Sequence, residues 1–258
     1  MKQAMLLEEV VRLARAAGEQ IMAVYEGAFE VRAKQDASPV TAADEQAEKI
    51  IVAGLCTITP DIPVIAEEAA STGDVPVVGS AFWLVDPLDG TKEFIERNGE
   101  FTVNIALIES GQPVLGVVYA PAFDRLYAGA TSVGAFVEHD GKRVSIACRT
   151  PPGAGFTVVA SRSHGDPAAL DAFLAGRAVA STSSIGSSLK LCLIAAGEAD
   201  LYPRFGRTME WDIAAGHAIL RAAGGTVSCL DGTPLVYGKP GFANPHFVAA
   251  GPGANDLG

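Results

Sequence analysis

The sequence predicts a mixed fold, α+β in its first half and more nearly α/β in its second. Three observations carry that expectation. A long amphipathic helical pattern comes first, short apolar runs with hairpin turns follow, and helix and strand patterns alternate from about residue 156. Residues 3–26 place Leu6, Leu7, Val10, Leu13, Ala14, Ala17, Ile21 and Val24 at helical spacing, and Gly27 ends them. Thr41-Ala42-Ala43-Asp44 has the capping-box pattern, and Ala47, Ile50, Ile51 and Leu55 give the next helix its apolar face. Strand-like runs occupy 63–66, 82–86, 101–109 and 113–120, with Gly111-Gln112 in one hairpin and Asp140-Gly141 marking another turn. Beyond them the expected order is strand 156–160, helix 166–175, helix 187–197, strand 200–205 and helix 211–223. The run Ser181–Ser188 could pass for a linker but is short and bounded by apolar sequence. Halves 1–150 and 151–258 are expected to form one compact, two-lobed unit.

Composition narrows the function. At 258 residues the chain can bury a real core, and 49% hydrophobic with 19% charged residues describes an ordinary soluble protein. A net charge of −11 argues against non-specific nucleic-acid binding and against an anionic membrane surface. Cys56, Cys148, Cys192 and Cys229 lie far apart, which argues against zinc and for a reducing compartment. Glu8, Glu9, Arg12 and Arg15 interrupt the first apolar pattern, so it reads as neither signal peptide nor span. A cytoplasmic location is expected, with peripheral attachment at the inner membrane left open. No P-loop, His-Glu-x-x-His or Gly-x-Ser-x-Gly pattern is present.

The most informative segment is Trp83-Leu-Val-Asp-Pro-Leu-Asp-Gly-Thr91. It reads as a buried strand ended by Asp86-Pro87, with a second carboxylate at Asp89 and then Gly90 and Thr91. Pro87 stiffens the turn, Gly90 permits close backbone approach to a ligand, and Thr91 offers a hydroxyl. Clamped carboxylates beside a nest of amides can hold divalent cations against a phosphate. Taken alone the segment reads equally well as a plain turn. Two further acids change the balance: Glu67, beside Glu68 at the end of run 63–66, and Asp212, at the start of a helix. Magnesium takes oxygen ligands and keeps waters, so a few carboxylates from different elements suffice.

Glu67-Glu68, Asp86-Pro-Leu-Asp-Gly-Thr91 and Trp211-Asp-Ile-Ala-Ala-Gly216 resemble the three signatures of the inositol-monophosphatase-like, lithium-sensitive phosphatases. Four more stretches are similar to its bacterial 3′(2′),5′-bisphosphate nucleotidase branch, the CysQ type: Ser38–Asp44, Thr91–Asn104, Gly186–Lys190 and Leu201–Gly206. The resemblance implies a layered αβαβα sandwich of the sugar-phosphatase type, with two or three Mg²⁺ ions between the halves. It implies that Glu67, Asp86 and the Leu88 carbonyl hold one ion, and Asp86, Asp89 and Asp212 another. Thr91 would then share the hydrogen bonds of an attacking water, and Asp44 would accept from the Thr91 hydroxyl. Asp44 also reads as a simple capping acid, and Glu68 as a solvated charge or a support for Glu67.

The substrate implied is the small phosphonucleotide 3′-phosphoadenosine 5′-phosphate, a by-product of sulfate assimilation, hydrolysed at its 3′-phosphate; Li⁺ inhibition is expected. Where inositol-processing relatives carry an acid before the Trp-Asp motif, this chain carries Arg204, which suits a second phosphate. Ser187 and Lys190 lie at an expected helix start, where an anion is favoured. Gly90, Thr91 and Asp212 are also expected at the substrate, and His164 either lines the nucleotide pocket or is structural. Competing readings are an inositol or fructose-1,6-bisphosphate phosphatase, and a silent sensor of phosphonucleotide or metal.

Overall fold

The computed structural model describes residues 2–33, 39–161 and 165–254. Its first half runs α1 (Gln3–Tyr25), β1 (Val31–Ala33), β2 (Pro39–Thr41), α2 (Ala42–Ile58), β3 (Val64–Ala66), α3 (Glu67–Ser71), β4 (Ala81–Asp89) and α4 (Thr91–Ile95). Five strands follow: β5 (Thr102–Glu109), β6 (Gln112–Ala120), β7 (Arg125–Ala130), β8 (Gly134–His139) and β9 (Lys142–Ile146). The remainder is β10 (Phe156–Ser161), α5 (Pro167–Leu174), β11 (Val179–Ile185), α6 (Leu189–Ala195), β12 (Leu201–Arg204), α7 (Glu210–Ala222), β13 (Thr226–Cys229) and β14 (Phe247–Ala250).

The strands β3 to β9 form one seven-stranded sheet in sequence order, antiparallel except for the β3–β4 pair. A second sheet has the order β11-β10-β12-β14-β13, with β10 parallel to both β11 and β12. Side chains alternate across each strand, and that alternation sorts them into different cores. Trp83 and Val85 of β4, with Val103, Ile105 and Leu107 of β5, pack with α1 and α2. Their neighbours Phe82, Leu84, Ala106 and Ile108 face the opposite way, into a core shared with α6 and α7. The second sheet divides likewise: Tyr202, Phe247 and Ala249 join α6 and α7, whereas Leu201, Val248 and Ala250 pack with Phe173 and Leu174 of α5. The result is a five-layered αβαβα sandwich. Although α7 lies late in the chain, it packs on β4 to β7 of the first sheet. Gly116 permits this contact, because a Cβ there would come within 2.3 Å of the Ala215 carbonyl oxygen.

Three local expectations change. The strand expected to stop at Asp86 continues to Asp89, with Asp86 opposite Asn104 and Asp89 opposite Thr102 across a register shift. Pro87 sits inside that bulge, where the ladder needs no donor. The linker-like serine run belongs as far as Ile185 to β11, an exposed edge strand held by parallel pairing with β10, and its last three residues lead into α6. Residues 125–146, where only a turn was legible, form the three strands β7 to β9.

Candidate active site

The carboxylates expected at a metal site are delivered by element ends whose backbone is already tied down. Glu67 opens α3, and the α2 residue Glu48 accepts from the next two amides, Glu68 N at 2.8 Å and Ala69 N at 3.0 Å. This places Glu68 in the first turn of α3, beside its α2 cap. In the β4 bulge, Asp86 Oδ1 accepts from Leu88 N at 3.0 Å, which fixes its rotamer. Gly90 has φ 94°, and a Cβ there would lie 3.0 Å from the Glu100 carbonyl oxygen. Only glycine satisfies both conditions cheaply, so its first duty is to the turn and to Glu100 rather than to a ligand. Asp212 is the third residue of α7, and its Oδ2 accepts from Met209 N at 2.8 Å.

These groups meet in a cleft of about 830 Å³, whose lining includes Glu67, Asp86, Leu88, Asp89, Gly90, Thr91 and Asp212. Burial pushes the Asp86 carboxyl well above its usual range, and the charges of Glu67, Asp89 and Asp212 push it further. Burial and the same crowding, led by Asp89 and then Glu67, raise Asp212. Asp89 is pushed up to about 6, chiefly by burial, although Lys190 pulls it back. Four acids that disfavour one another's charge form a site that a divalent cation would relieve. Among the described residues no three His, Cys, Asp or Glu side chains stand together in a group that could hold a metal ion by itself. Mg²⁺ does not require such a group, since it completes its octahedron with water and substrate oxygens. The donor set, all oxygen and all hard, fits Mg²⁺.

Asp44 and Thr91 are brought together as the sequence suggested. The Thr91 hydroxyl lies 3.1 Å from Asp44 Oδ1 and 3.4 Å from the Leu88 carbonyl oxygen. Asp44 Oδ2 meanwhile accepts from Thr41 N at 2.8 Å and Thr41 Oγ1 at 2.7 Å. The capping box is therefore real, and it turns the other carboxylate oxygen toward Thr91.

The same lining is also basic, through Lys190, Arg204 and Arg207, together with Ser187. Lys190 is only 5% exposed. Its ammonium donates to the carbonyls of Ile185 (3.1 Å) and Ser187 and lies 5.4 Å above the Tyr202 ring. Burial lowers its pKa to about 8, with Asp89 opposing that shift and Arg204 adding to it. As expected, Ser187 and Lys190 flank a helix start, that of the seven-residue α6. Arg204 Nη2 donates to the Arg207 carbonyl at 2.9 Å, which bends the loop so that both cations border the cleft. Ser187 is held at φ 48°, and its buried hydroxyl has no hydrogen-bond partner among the described residues. Sequence reasoning missed Arg207, whose only signal was its place three residues beyond Arg204. It also missed an apolar stretch of wall made by Val75, Met209, Trp211 and Phe242. His164 lies outside the described residues.

Known proteins resemble this chain over nearly its whole length. The sequence pattern of the inositol monophosphatase family matches residues 2–255. The 3′(2′),5′-bisphosphate nucleotidase CysQ of Salmonella typhimurium is 54% identical over 247 residues, covering 94% of this chain and 98% of that protein. Among solved structures, CysQ from Bacteroides thetaiotaomicron superposes with a TM-score of 0.81 at 39% identity, over 97% of this chain and 98% of that one. An inositol monophosphatase from Anabaena gives a TM-score of 0.79 at 26% identity, over 100% and 95% of the two chains.

Proposed function

The chain belongs to the inositol monophosphatase family, and we propose that within it the chain is a Mg²⁺-dependent 3′(2′),5′-bisphosphate nucleotidase. Its substrate would be 3′-phosphoadenosine 5′-phosphate, cleaved at the 3′-position to AMP and phosphate in the recycling of a sulfate-assimilation by-product. The observation that carries this reading is the two-signed cleft, whose lining holds four carboxylates together with Lys190, Arg204 and Arg207. A monophosphate needs only the acidic part. A bisphosphate, with one ester to cleave and one to hold, uses both.

Glu67, Asp86 and the Leu88 carbonyl would hold one ion, and Asp86, Asp89 and Asp212 a second, with Asp86 common to both; a third would be held mostly through water and Glu67. Bound there, the ions would make water a competent nucleophile at neutral pH and offset charge on the phosphate and leaving oxygen. The chain's own contribution is positional. Thr91 orients the attacking water through its hydroxyl and passes a proton to Asp44, whose second oxygen is anchored by Thr41. Glu67 accepts a hydrogen bond from the same water. The orphan hydroxyl of Ser187, with Lys190 and Arg204, takes the phosphate that is not cleaved.

Among the described residues no helix is long and apolar enough to cross a membrane, and a cytoplasmic location belongs to the proposal. A silent sensor is disfavoured because the Asp44–Thr91 pair is present and connected. The test is parallel phosphate release from 3′-phosphoadenosine 5′-phosphate, inositol 1-phosphate and fructose 1,6-bisphosphate in added Mg²⁺. The nucleotide should lead; preference for either sugar phosphate would reassign the basic residues.

A further inference from the structure

Asn104 and Ser188 form a buried hydrogen-bonded bridge from the β4 bulge to the start of α7. Asn104 is fully buried on β5, on the face turned toward α7. Its Oδ1 accepts from the Thr102 hydroxyl at 2.9 Å. Its Nδ2 donates to Ser188 Oγ at 3.0 Å and reaches Asp89 Oδ2 at 3.4 Å. Ser188 is 2% exposed, and its hydroxyl in turn donates to the backbone carbonyl of Asp212. Every donor in this chain points one way. With the amide reversed, Oδ1 would face the Asp89 carboxylate, and Ser188 would need two protons on one oxygen. A hydrophobic residue of similar size would suffice for packing at position 104, so the polar chain requires another explanation.

From this we infer that Asn104 and Ser188 are positioning residues that set the separation of the Asp89 and Asp212 carboxylates, and with it the affinity for the cation the two would share. Asp89 comes from the first sheet and Asp212 from the helix α7; Asp89 pairs through its backbone with Thr102 of β5, whereas the carboxylate of Asp212 is held at its own helix start. The bridge ties both to one rigid strand, β5, and to the loop that carries Ser187. It does so without contributing a ligand, in the manner of groups that orient metal ligands from behind. The inference rests on the metal site proposed above.

Manganese is the probe, because its binding is read by electron paramagnetic resonance without substrate or turnover. In substrate-free protein below the unfolding temperature of every variant, Asn104→Ala should weaken Mn²⁺ binding by about 10–100-fold. Ser188→Ala, a smaller change that leaves the Asn104–Asp89 contact, should weaken it in the same direction by a smaller factor. Because the two act through one chain, the double variant should bind no more weakly than Asn104→Ala alone. Val158→Ala, in the core between the second sheet and α5, controls for general loosening and should bind Mn²⁺ as the unaltered protein does. Unaltered affinity in both single variants would overturn the inference. Strictly additive losses, or an equal loss in Val158→Ala, would overturn it too, as signs of ordinary destabilisation. If the unaltered protein itself bound no Mn²⁺, the proposed metal site would fail and the bridge would fall with it.

Discussion

Two helix starts, those of α2 and α7, carry the same local device. Asp44 is the third residue of α2 and Asp212 the third of α7, and each accepts from the backbone N–H of its N-cap residue at 2.8 Å. What differs is the company of each acid. Asp44 receives hydroxyls from Thr41 and Thr91. Asp212 is crowded by Asp89 and Glu67, which together with burial force its pKa upward. One motif thus yields a proton acceptor in the first case and a cation ligand in the second. Capping fixes which way a carboxylate points; neighbours from distant sequence decide what it can do.

The comparison breaks most visibly at Asp212. Asp212→Asn keeps an oxygen for the Met209 amide but removes a charge, so nearly all turnover should be lost while the metal-free melting temperature holds or rises. Asp86→Asn should behave alike, since it removes a charge proposed to serve both ions. Near-normal kcat in saturating Mg²⁺ for either variant would refute the metal assignment. At Asp44 the same exchange should act differently. Asp44→Asn can still accept from Thr41, but it presents an NH₂ to Thr91 and reverses that hydrogen bond. We expect kcat to fall by about 10²–10⁴-fold with KM little changed. A normal kcat with lowered thermal stability would mean that the two helix starts differ in nothing but their neighbours' charge.

A smaller effect probes the basic residues that line the same cleft. Arg204→Ala should cut kcat/KM for 3′-phosphoadenosine 5′-phosphate by about ten- to a hundredfold, the worth of one charge-assisted contact of about 1.5–3 kcal/mol. It should hardly change 3′-AMP, which has no second phosphate. Equal loss on both substrates would make Arg204 a support for the Arg207 loop rather than a reader of substrate.

These two helix starts also mark what could be read in advance. Thr41-x-x-Asp44 was legible because threonine and aspartate are the residues capping chemistry selects. Met209-x-x-Asp212 carries no such signal, since methionine has no capping oxygen; Asp212 stood out as an acid at an expected helix start, and the resemblance of Trp211–Gly216 to known phosphatases gave it a ligand's role. The αβαβα layering was likewise implied by resemblance, whereas α1, α2 and β6 followed from periodicity. The β4 bulge was misread because Asp-Pro-Leu-Asp contains turn formers, and only pairing with Thr102 and Asn104 makes them strand. β11 was missed because an edge strand exposed on both faces has no apolar alternation to show. Asn104 was in view, within a stretch quoted for its resemblance, but its partner Ser188 lies 84 residues away and no local pattern links them.

The last prediction uses the crowding that separates Asp212 from Asp44. A carboxyl whose folded pKa lies above its unfolded one binds more protons in the native state, so its contribution to stability falls as pH rises between the two values. For Asp89 that window runs from about 4, the ordinary aspartate value, to about 6, and Asp86 and Asp212 shift in the same direction. His217 opposes them. Burial lowers its pKa to about 3, so its neutral form favours the fold above about 6.5 and that benefit is lost as pH falls toward 3. A single melting curve against pH would mix these signs. The difference between melting temperatures with EDTA and with Mg²⁺ would not, because His217 is bonded to Tyr237 rather than to the carboxylates and cancels between the two series. That difference should be small near pH 4, where the acids are protonated, and should widen by a few degrees as pH rises past 6. In Asp212→Asn the widening should shrink; in Asp44→Asn it should persist. A pH-independent difference, or the same shrinkage in both variants, would erase the electrostatic distinction between the two helix starts.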